Sequence, residues 1–170
     1  MKTKIVAKRK DGRLLKGTTG NFLPYRNIFH ISPDESPETT AEVLTDDLKA
    51  VFFVKDLEGS RTPHNRPPEY SAPDKTIEKE ISVTFRDNEV INGFTHSFHL
   101  DRLGFFIRPA DPNDNNERIF VVLSSVKTIM FDNKLIDIGT VFQTERTCEA
   151  CGKKLELSWK FCPYDGTRAR

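Results

Sequence analysis

The sequence predicts an all-β protein with two tandem small barrels, each of five short strands, and a small C-terminal module. Two observations carry this prediction. A long segment of the chain occurs twice, and each copy alternates short apolar runs with turn residues, which is typical of small barrels. The apolar residues, 36% of the chain, also suit several small cores better than one large core.

The repeat is visible when the chain is shifted by 76 positions, which places residues 5–33 on residues 81–109 without a gap. After a two-residue adjustment, residues 42–53 lie on residues 120–131. Apolar positions that match over this length predict one structural unit in two copies. The identical pairs are Ile5/Ile81, Asp11/Asp87, Gly17/Gly93, Thr19/Thr95, Phe22/Phe98, Arg26/Arg102, Phe29/Phe105, Ile31/Ile107 and Pro33/Pro109.

Each copy predicts five strands in the same order. The first strand runs into a tight turn at Asp11-Gly12 or Asp87-Asn88, because these residues tolerate the positive φ of a two-residue hairpin. The second contains a glycine, which suggests the sharp bend that a small barrel needs to close. The predicted strands are 5–7, 14–19, 28–31, 43–44 and 48–54 in the first copy, and 81–85, 90–95, 104–107, 119–122 and 126–131 in the second.

The predicted domains are a first barrel at 1–56, a second barrel at 79–134 and a C-terminal module at 145–170. A linker at 57–78 separates the barrels. It contains four prolines and almost no apolar residues, which is typical of a semi-rigid spacer.

Two stretches of the second copy, NEVINGFTHSF (88–98) and IFVVLSSVKTIMF (119–131), resemble the Sm-like barrel, particularly its bacterial RNA-chaperone branch, Hfq. The stretch GFFIRPADPNDNNERIFV (104–121) also resembles a signature of poorly characterised bacterial domains. The resemblance implies Sm-like or SH3-like barrels in both repeats. The chain departs from it ahead of the last strand, where the family's Tyr-Lys-His triplet is replaced by residues 122–124 and 44–46, so binding of uridine in the family manner is not implied.

The C-terminal stretch CEACGKKLELSWKFCPYD (148–165) has the spacing of a zinc ribbon, with two knuckles of the form C-x-x-C-G. Each knuckle keeps its trailing glycine, Gly152 or Gly166, and the second has an aspartate where the cysteine should be. An aspartate oxygen is an acceptable zinc ligand, and a closed four-ligand site is structural. The predicted ligands of a structural Zn²⁺ are therefore Cys148, Cys151, Cys162 and Asp165.

Other readings of the three cysteines stay open at this point. The fourth ligand could be a group other than Asp165, an open site with three cysteines and a water could be catalytic, and the thiols could be a metal-free redox set.

The segment between the knuckles alternates Leu155, Leu157, Trp159 and Phe161, which predicts a short hairpin with one apolar face.

The predicted function is a non-enzymatic binding module for a macromolecule, RNA or protein. No G-x-S-x-G, H-E-x-x-H or P-loop motif is present, and the net charge of +1 gives no general attraction for polyanions. Local basic and aromatic residues nevertheless suit nucleic acid. The candidate binding residues are Arg9, Arg13, Phe105, Phe106, Lys153, Lys154 and Lys160.

The alternative is a sensor of a small nucleotide. The stretch RKDGR (9–13) resembles the R-x-x-x-R motif of PilZ domains, which implies that Arg9 and Arg13 would clamp the phosphates of cyclic di-GMP. The second part of that motif is only half present in DESPET (34–39).

No apolar run reaches the ~18 residues of a membrane span, and no apolar region follows the charged N-terminus as in a signal peptide. The expected location is therefore the cytoplasm, with no insertion into membranes. The odd number of cysteines, three, also favours metal binding over disulfides.

Overall fold

The structure is a computed structural model that describes residues 2–59, 78–141, 145–156 and 160–168. Most of the linker predicted at 57–78 lies outside these residues, as do Leu157 and Trp159 of the predicted ribbon hairpin. The all-β prediction is confirmed, because the α-helix of the described part is a single turn, α1 (Ile138–Val141). The strands are β1 (Thr3–Arg9), β2 (Leu14–Thr19), β3 (Ile28–Pro33), β4 (Ala41–Leu44), β5 (Leu48–Val54), β6 (Lys79–Phe85), β7 (Val90–Thr95), β8 (Gly104–Pro109), β9 (Asn116–Val122), β10 (Val126–Phe131), β11 (Lys134–Asp137), β12 (Glu145–Thr147) and β13 (Lys154–Glu156).

The first eleven strands form one open antiparallel sheet in the order β11-β10-β6-β7-β8-β9-β5-β1-β2-β3-β4. The two repeats have the same internal order, since β5-β1-β2-β3-β4 of the first corresponds to β10-β6-β7-β8-β9 of the second. Pairing of β5 with β9 joins the repeats, and we call this joint the seam. The division into two barrels and the domain boundaries stay predictions.

The turns and glycines of the repeat have matching geometry in both copies. The β1–β2 turn has Gly12 at φ +89°, and the β6–β7 turn has Asn88 at φ +66°. The two-residue turns predicted from the sequence are wrong, because Arg9 pairs with Arg13 and Phe85 with Glu89, which leaves three-residue loops with the positive φ at the third position. Gly17 and Gly93 let the backbones of β2 and β7 approach the next strand closely. A Cβ atom at these positions would lie 2.1 Å from the Ser32 carbonyl and 2.2 Å from the Arg108 carbonyl, so no other residue fits.

Two hydrophobic cores lie on the sheet, and each takes side chains from both repeats. The core of the first repeat includes Phe106, Phe120 and Val122 from the second. The core of the second repeat includes Ala50 and packs against Phe52, both from β5. Because side chains alternate between the faces of a strand, β5 and β9 each serve both cores. The repeats are therefore joined by shared packing as well as by backbone hydrogen bonds.

A buried lysine adds charged contacts across the seam. The side chain of Lys49, 5% exposed, donates to the carboxylates of Asp87 and Glu89 in the second repeat. Lys8 also contacts Glu89, at 2.6 Å. The hydrogen bond from Lys49 lowers the pKa of Asp87. Burial alone would raise the pKa of Glu89, but hydrogen bonds from Lys49 and Lys8 outweigh it and the pKa is lowered.

Acid is expected to weaken the seam through these carboxylates. Their pKa values are lower in the folded state, so the charged pairs stabilise the fold above about pH 5, and this contribution is lost as the pH falls through about 4 and below. We expect Lys49→Met to flatten the fall of Tm between pH 7 and pH 3 in thermal unfolding. The matched control is Lys127→Met, because Lys127 is the equivalent lysine of the second repeat and donates to the neutral side chain of Asn88. An equal fall of Tm between pH 7 and pH 3 in the two variants would contradict this role for Lys49.

Candidate metal centre and seam groove

Two turns with the same backbone geometry hold the cysteine cluster. In the first, the N–H of Gly152 donates to the Cys148 carbonyl at 2.9 Å and the N–H of Cys148 donates to the Lys153 carbonyl at 2.8 Å. In the second, Gly166 donates to Cys162 at 2.9 Å and Cys162 donates to Thr167 at 2.8 Å. The glycines have φ of +69° and +74°, in the left-handed region that favours glycine. The second turn is thus a geometric copy of the first.

This equivalence places Asp165 where the first turn has Cys151. One ligand atom from each of Cys148, Cys151, Cys162 and Asp165 lies within 4.8 Å of all the others. The Cys148 thiol is 3.2 Å from Asp165 Oδ2, and the sulfurs of Cys151 and Cys162 are 3.6 Å apart. Bond lengths of ~2.3 Å to sulfur and ~2.0 Å to oxygen give tetrahedral edges of about 3.5–3.8 Å, so the cluster has nearly the size of a zinc site.

The thiols and the carboxylate of the cluster compete for negative charge. A backbone N–H of Lys153 favours the thiolate of Cys151, but Asp165 and the other thiols outweigh it and raise the Cys151 pKa to about 12. The pKa of Asp165 is lowered, chiefly by the backbone N–H of Thr167 and then by the Cys151 thiol. Three thiolates beside a carboxylate repel one another. A divalent cation bound among them would offset this repulsion and favour the thiolate forms. Sulfur donors with one oxygen suit Zn²⁺, and the four-ligand set fits a closed, structural site.

In the described part of the predicted ribbon, the buried core is small. Cys148, Cys162 and Leu155 are buried at 4%, 2% and 1% exposure and form a cluster of their own. Strands β12 and β13 pair over three residues. The predicted apolar face is covered only in part, because Leu155 is buried and Phe161 is 59% exposed. Small segments with so few buried residues usually fold only with a bound metal or a disulfide.

The basic candidates of the ribbon lie around this cluster. The ammonium group of Lys153 lies over the Tyr164 ring, 4.2 Å from its centroid. Lys160 is exposed, and Lys154 begins β13. Their binding role stays a prediction.

Arg9 and Arg13 lie at the β1–β2 turn. The guanidinium of Arg13 is paired with Asp11 at 2.6 Å, and this hydrogen bond raises the pKa of Arg13. Asp11 therefore competes with any phosphate for Arg13. Nucleotide binding at this turn stays a prediction.

Phe105 and Phe106 are both packed side chains. Phe105 is 5% exposed and its ring lies 5.3 Å from that of Phe98. Phe106 is half-buried at the seam, where its ring lies 5.2 Å from that of Phe120. The guanidinium of Arg118 lies over Phe106 and Phe53, at 4.8 and 4.4 Å from the ring centroids. Both candidate phenylalanines therefore contribute to packing within the fold, independently of any binding role.

The two phenylalanines also line a groove of about 790 Å³ where a loop of each repeat meets the seam. We call it the seam groove. Its exposed polar and aromatic members are Tyr25 from the first repeat and His96, Ser97, His99, Asp101 and Arg102 from the second. Among the described residues that line it, neither Arg9, Arg13 nor the ribbon lysines occur, so the structure does not gather the predicted binding residues into one site.

Sequence reasoning missed Tyr25 and Arg102 as groove residues. Arg102 is one of the identical positions of the repeat, but its equivalent Arg26 is not among the residues that line this groove. The groove exists because a second repeat lies beside the first, and no local pattern encodes that contact.

Within the described ranges, no helix has the length and apolar character to cross a membrane.

Comparison with known proteins gives one family. No curated protein and no solved structure matches this chain. A family model described as a family of unknown function, DUF6982, matches residues 1–131. The match covers both repeats and ends before the cysteine cluster. On this evidence, the chain belongs to the DUF6982 family.

Proposed function

We propose that the protein is a non-enzymatic binding module that holds a macromolecular segment, foremost single-stranded RNA, in the seam groove. Each repeat would be a small Sm-like barrel, and the identical strand order of the two repeats supports this. The C-terminal cluster would be a zinc ribbon that is closed and structural, with Cys148, Cys151, Cys162 and Asp165 as ligands.

The observation that carries the proposal is the composition of the seam groove. Its volume of about 790 Å³ accommodates a nucleobase or a bulky side chain. The phenol ring of Tyr25 is 70% exposed and offers a stacking surface. Arg102 also lines the groove and would supply a cation for phosphate. Exposed aromatic rings beside cations are the usual means of binding single strands without sequence preference.

The groove predicts a specific pattern of RNA binding. Mixed-sequence RNA oligomers should bind in fluorescence anisotropy, and more weakly at higher salt, because phosphate contacts release counterions. Tyr25→Ala should weaken binding by about 5-fold or more, since stacking is worth ~1–3 kcal/mol per base. Arg102→Ala should reduce both affinity and salt dependence.

The matched control is Arg26→Ala, which removes the repeat-equivalent arginine outside the groove and should leave RNA affinity unchanged. Circular dichroism of each variant checks that the sheet is intact. Absence of salt-sensitive RNA binding, or equal losses in Arg26→Ala and Arg102→Ala, would reject RNA as the ligand of this groove.

A further inference from the structure

One edge of the sheet is open, and it has an equivalent inside the same molecule. In the described part of the chain, β4 pairs with β3 on one side and with no strand on the other. Its repeat-equivalent is β9, whose outer edge pairs with β5. The open edge of β4 therefore corresponds to the edge of β9 at which the second repeat pairs with β5 of the first.

Exposure of equivalent residues shows what the open edge lacks. Leu44 of β4 is 42% exposed, whereas its equivalent Val122 is fully buried by the seam. Ile28, which lies opposite Leu44 on β3, is 46% exposed. Both apolar side chains lie where a neighbouring strand would cover them.

Among the described residues, no strand equivalent to β5 has an unpaired edge that could pair with β4 of another copy. Both edges of β5 are paired, with β1 and β9. The equivalent strand β10 is paired with β6 and with β11. The register of β11 on β10 matches that of β9 on β5. In the first pairing, Asp137, Ile136 and Leu135 lie opposite Thr128, Ile129 and Met130. In the second, Val121, Phe120 and Ile119 lie opposite the equivalent residues Ala50, Val51 and Phe52. Strand β11 thus occupies the edge that a second copy would need.

The chemistry of the open edge also disfavours another copy. The aromatic pair Phe106–Phe120, which enters the neighbouring core at the seam, is replaced in the first repeat by His30 and Glu42, 3.9 Å apart. Residues 33–44 contain no lysine or arginine. Two copies paired through β4 would bring these acidic segments together, and like charges repel. The exposed acidic residues of the segment are Asp34, Glu35, Glu38 and Glu42.

We propose that the open edge of β4 is a strand-addition site for a basic, extended segment of another protein. The segment would pair antiparallel with β4, as β5 pairs with β9, and place its cations opposite the acidic segment. Backbone hydrogen bonds would supply affinity, and the aliphatic stems of the partner's lysines would cover Ile28 and Leu44, which lie on the same exposed face as Glu42. This surface is separate from the seam groove, since β4 lines no part of that groove.

Backbone direction allows a sharp test. The N–H of Thr45 donates to the Asn27 carbonyl at 2.8 Å, on the β3 side. Because N–H groups alternate along a strand, the N–H of Val43 faces β3 as well, whereas those of Glu42 and Leu44 face the open edge. Proline at position 42 would remove an outward donor and keep the β3 pairing, as on natural edge strands.

The probe is a fluorescent nine-residue peptide that alternates valine with lysine, compared with the same peptide bearing glutamate for lysine. We expect the basic peptide to bind in anisotropy and the acidic one not to bind. Glu42→Pro should weaken binding at least 10-fold. Glu42→Gln keeps the N–H, so it should weaken binding less and reduce the salt dependence. Amide hydrogen exchange at Glu42 and Leu44 should slow in the complex.

The control is Arg102→Ala, which alters the seam groove and should leave peptide affinity unchanged. Equal binding of the two peptides, unchanged affinity in Glu42→Pro, or no binding at all would overturn the proposal and leave β4 as a short charged edge that is merely protected from aggregation. A dimer in sedimentation velocity that Glu42→Pro dissociates would overturn it in favour of a second copy.

Discussion

Replacing Phe120 by alanine is expected to destabilise the protein by about 3–5 kcal/mol, the usual cost of removing a buried phenylalanine. Phe120 is fully buried, and it belongs to the second repeat while it packs in the core of the first. Its ring lies 5.1 Å from Phe22 and 5.2 Å from Phe106. The truncation therefore creates a cavity at the point where the two repeats are joined.

Urea unfolding followed by circular dichroism measures this cost. The matched control is Phe161→Ala, because Phe161 is 59% exposed and should cost less than about 1 kcal/mol. In the natural protein the sheet should unfold in one transition, since the repeats share both cores. A loss below 1 kcal/mol in Phe120→Ala, or separate transitions for the two repeats before any substitution, would contradict the shared packing at the seam.

Loss of a single cysteine is expected to unfold the C-terminal segment and leave the sheet folded. Cys162→Ser should abolish zinc retention, because it removes one of the four candidate ligands and the buried cluster of the described part contains only Leu155 besides the cysteines. Asp165→Ala should lower zinc affinity more than about 10-fold, since even loss of an outer partner of a ligand typically costs 10–100-fold. Asp165→Cys should retain zinc, because both turns have the same hydrogen bonds.

Zinc competition with a chromophoric chelator gives the affinities, and proteolysis of the metal-free protein locates the unfolding. Cleavage that depends on metal removal should occur beyond residue 145, while residues 2–59 and 78–141 stay as resistant as in the zinc-bound protein. Glu149→Ala is the control, because Glu149 is an exposed acid beside the cluster that belongs to neither turn's ligand set. Equal zinc affinity in Asp165→Ala and Glu149→Ala would exclude Asp165 as the fourth ligand.

The strands of each repeat could be predicted because their signals are local. The predicted bounds 14–19, 48–54, 90–95 and 126–131 coincide with β2, β5, β7 and β10. Alternating apolar residues and Asp-Gly or Asp-Asn turns set these bounds through sterics that act within a few residues. The repeat supported each assignment a second time.

The seam could not be predicted, because the pairing of β5 with β9 joins residues that are 62 to 71 positions apart and depends on packing. Burial of Lys49 depends on the same contact, since its carboxylate partners come from the other repeat. The hairpin of β10 and β11 was also missed, yet it had a usable signal. Asp132 and Asn133 repeat the Asp-Asn dipeptide of the β6–β7 turn, and with φ of +52° and +60° they form a two-residue turn between the paired Phe131 and Lys134.

The candidate metal site was predictable in composition because its ligands lie within 18 residues and follow a fixed spacing. The structure adds the matching hydrogen bonds of the two turns, which place Asp165 at the position that Cys151 has in the first turn. The seam groove was not predictable, since its walls come from both repeats.

Zinc content tests the central claim, a structural Cys₃Asp zinc site, most directly. Protein purified without chelators should carry about one zinc ion per chain by native mass spectrometry, and the same mass shift should be absent in Cys162→Ser. Zinc should return to the natural protein after removal and refolding with Zn²⁺. A natural protein that carries no zinc as purified and takes up none on refolding with Zn²⁺ would contradict the account.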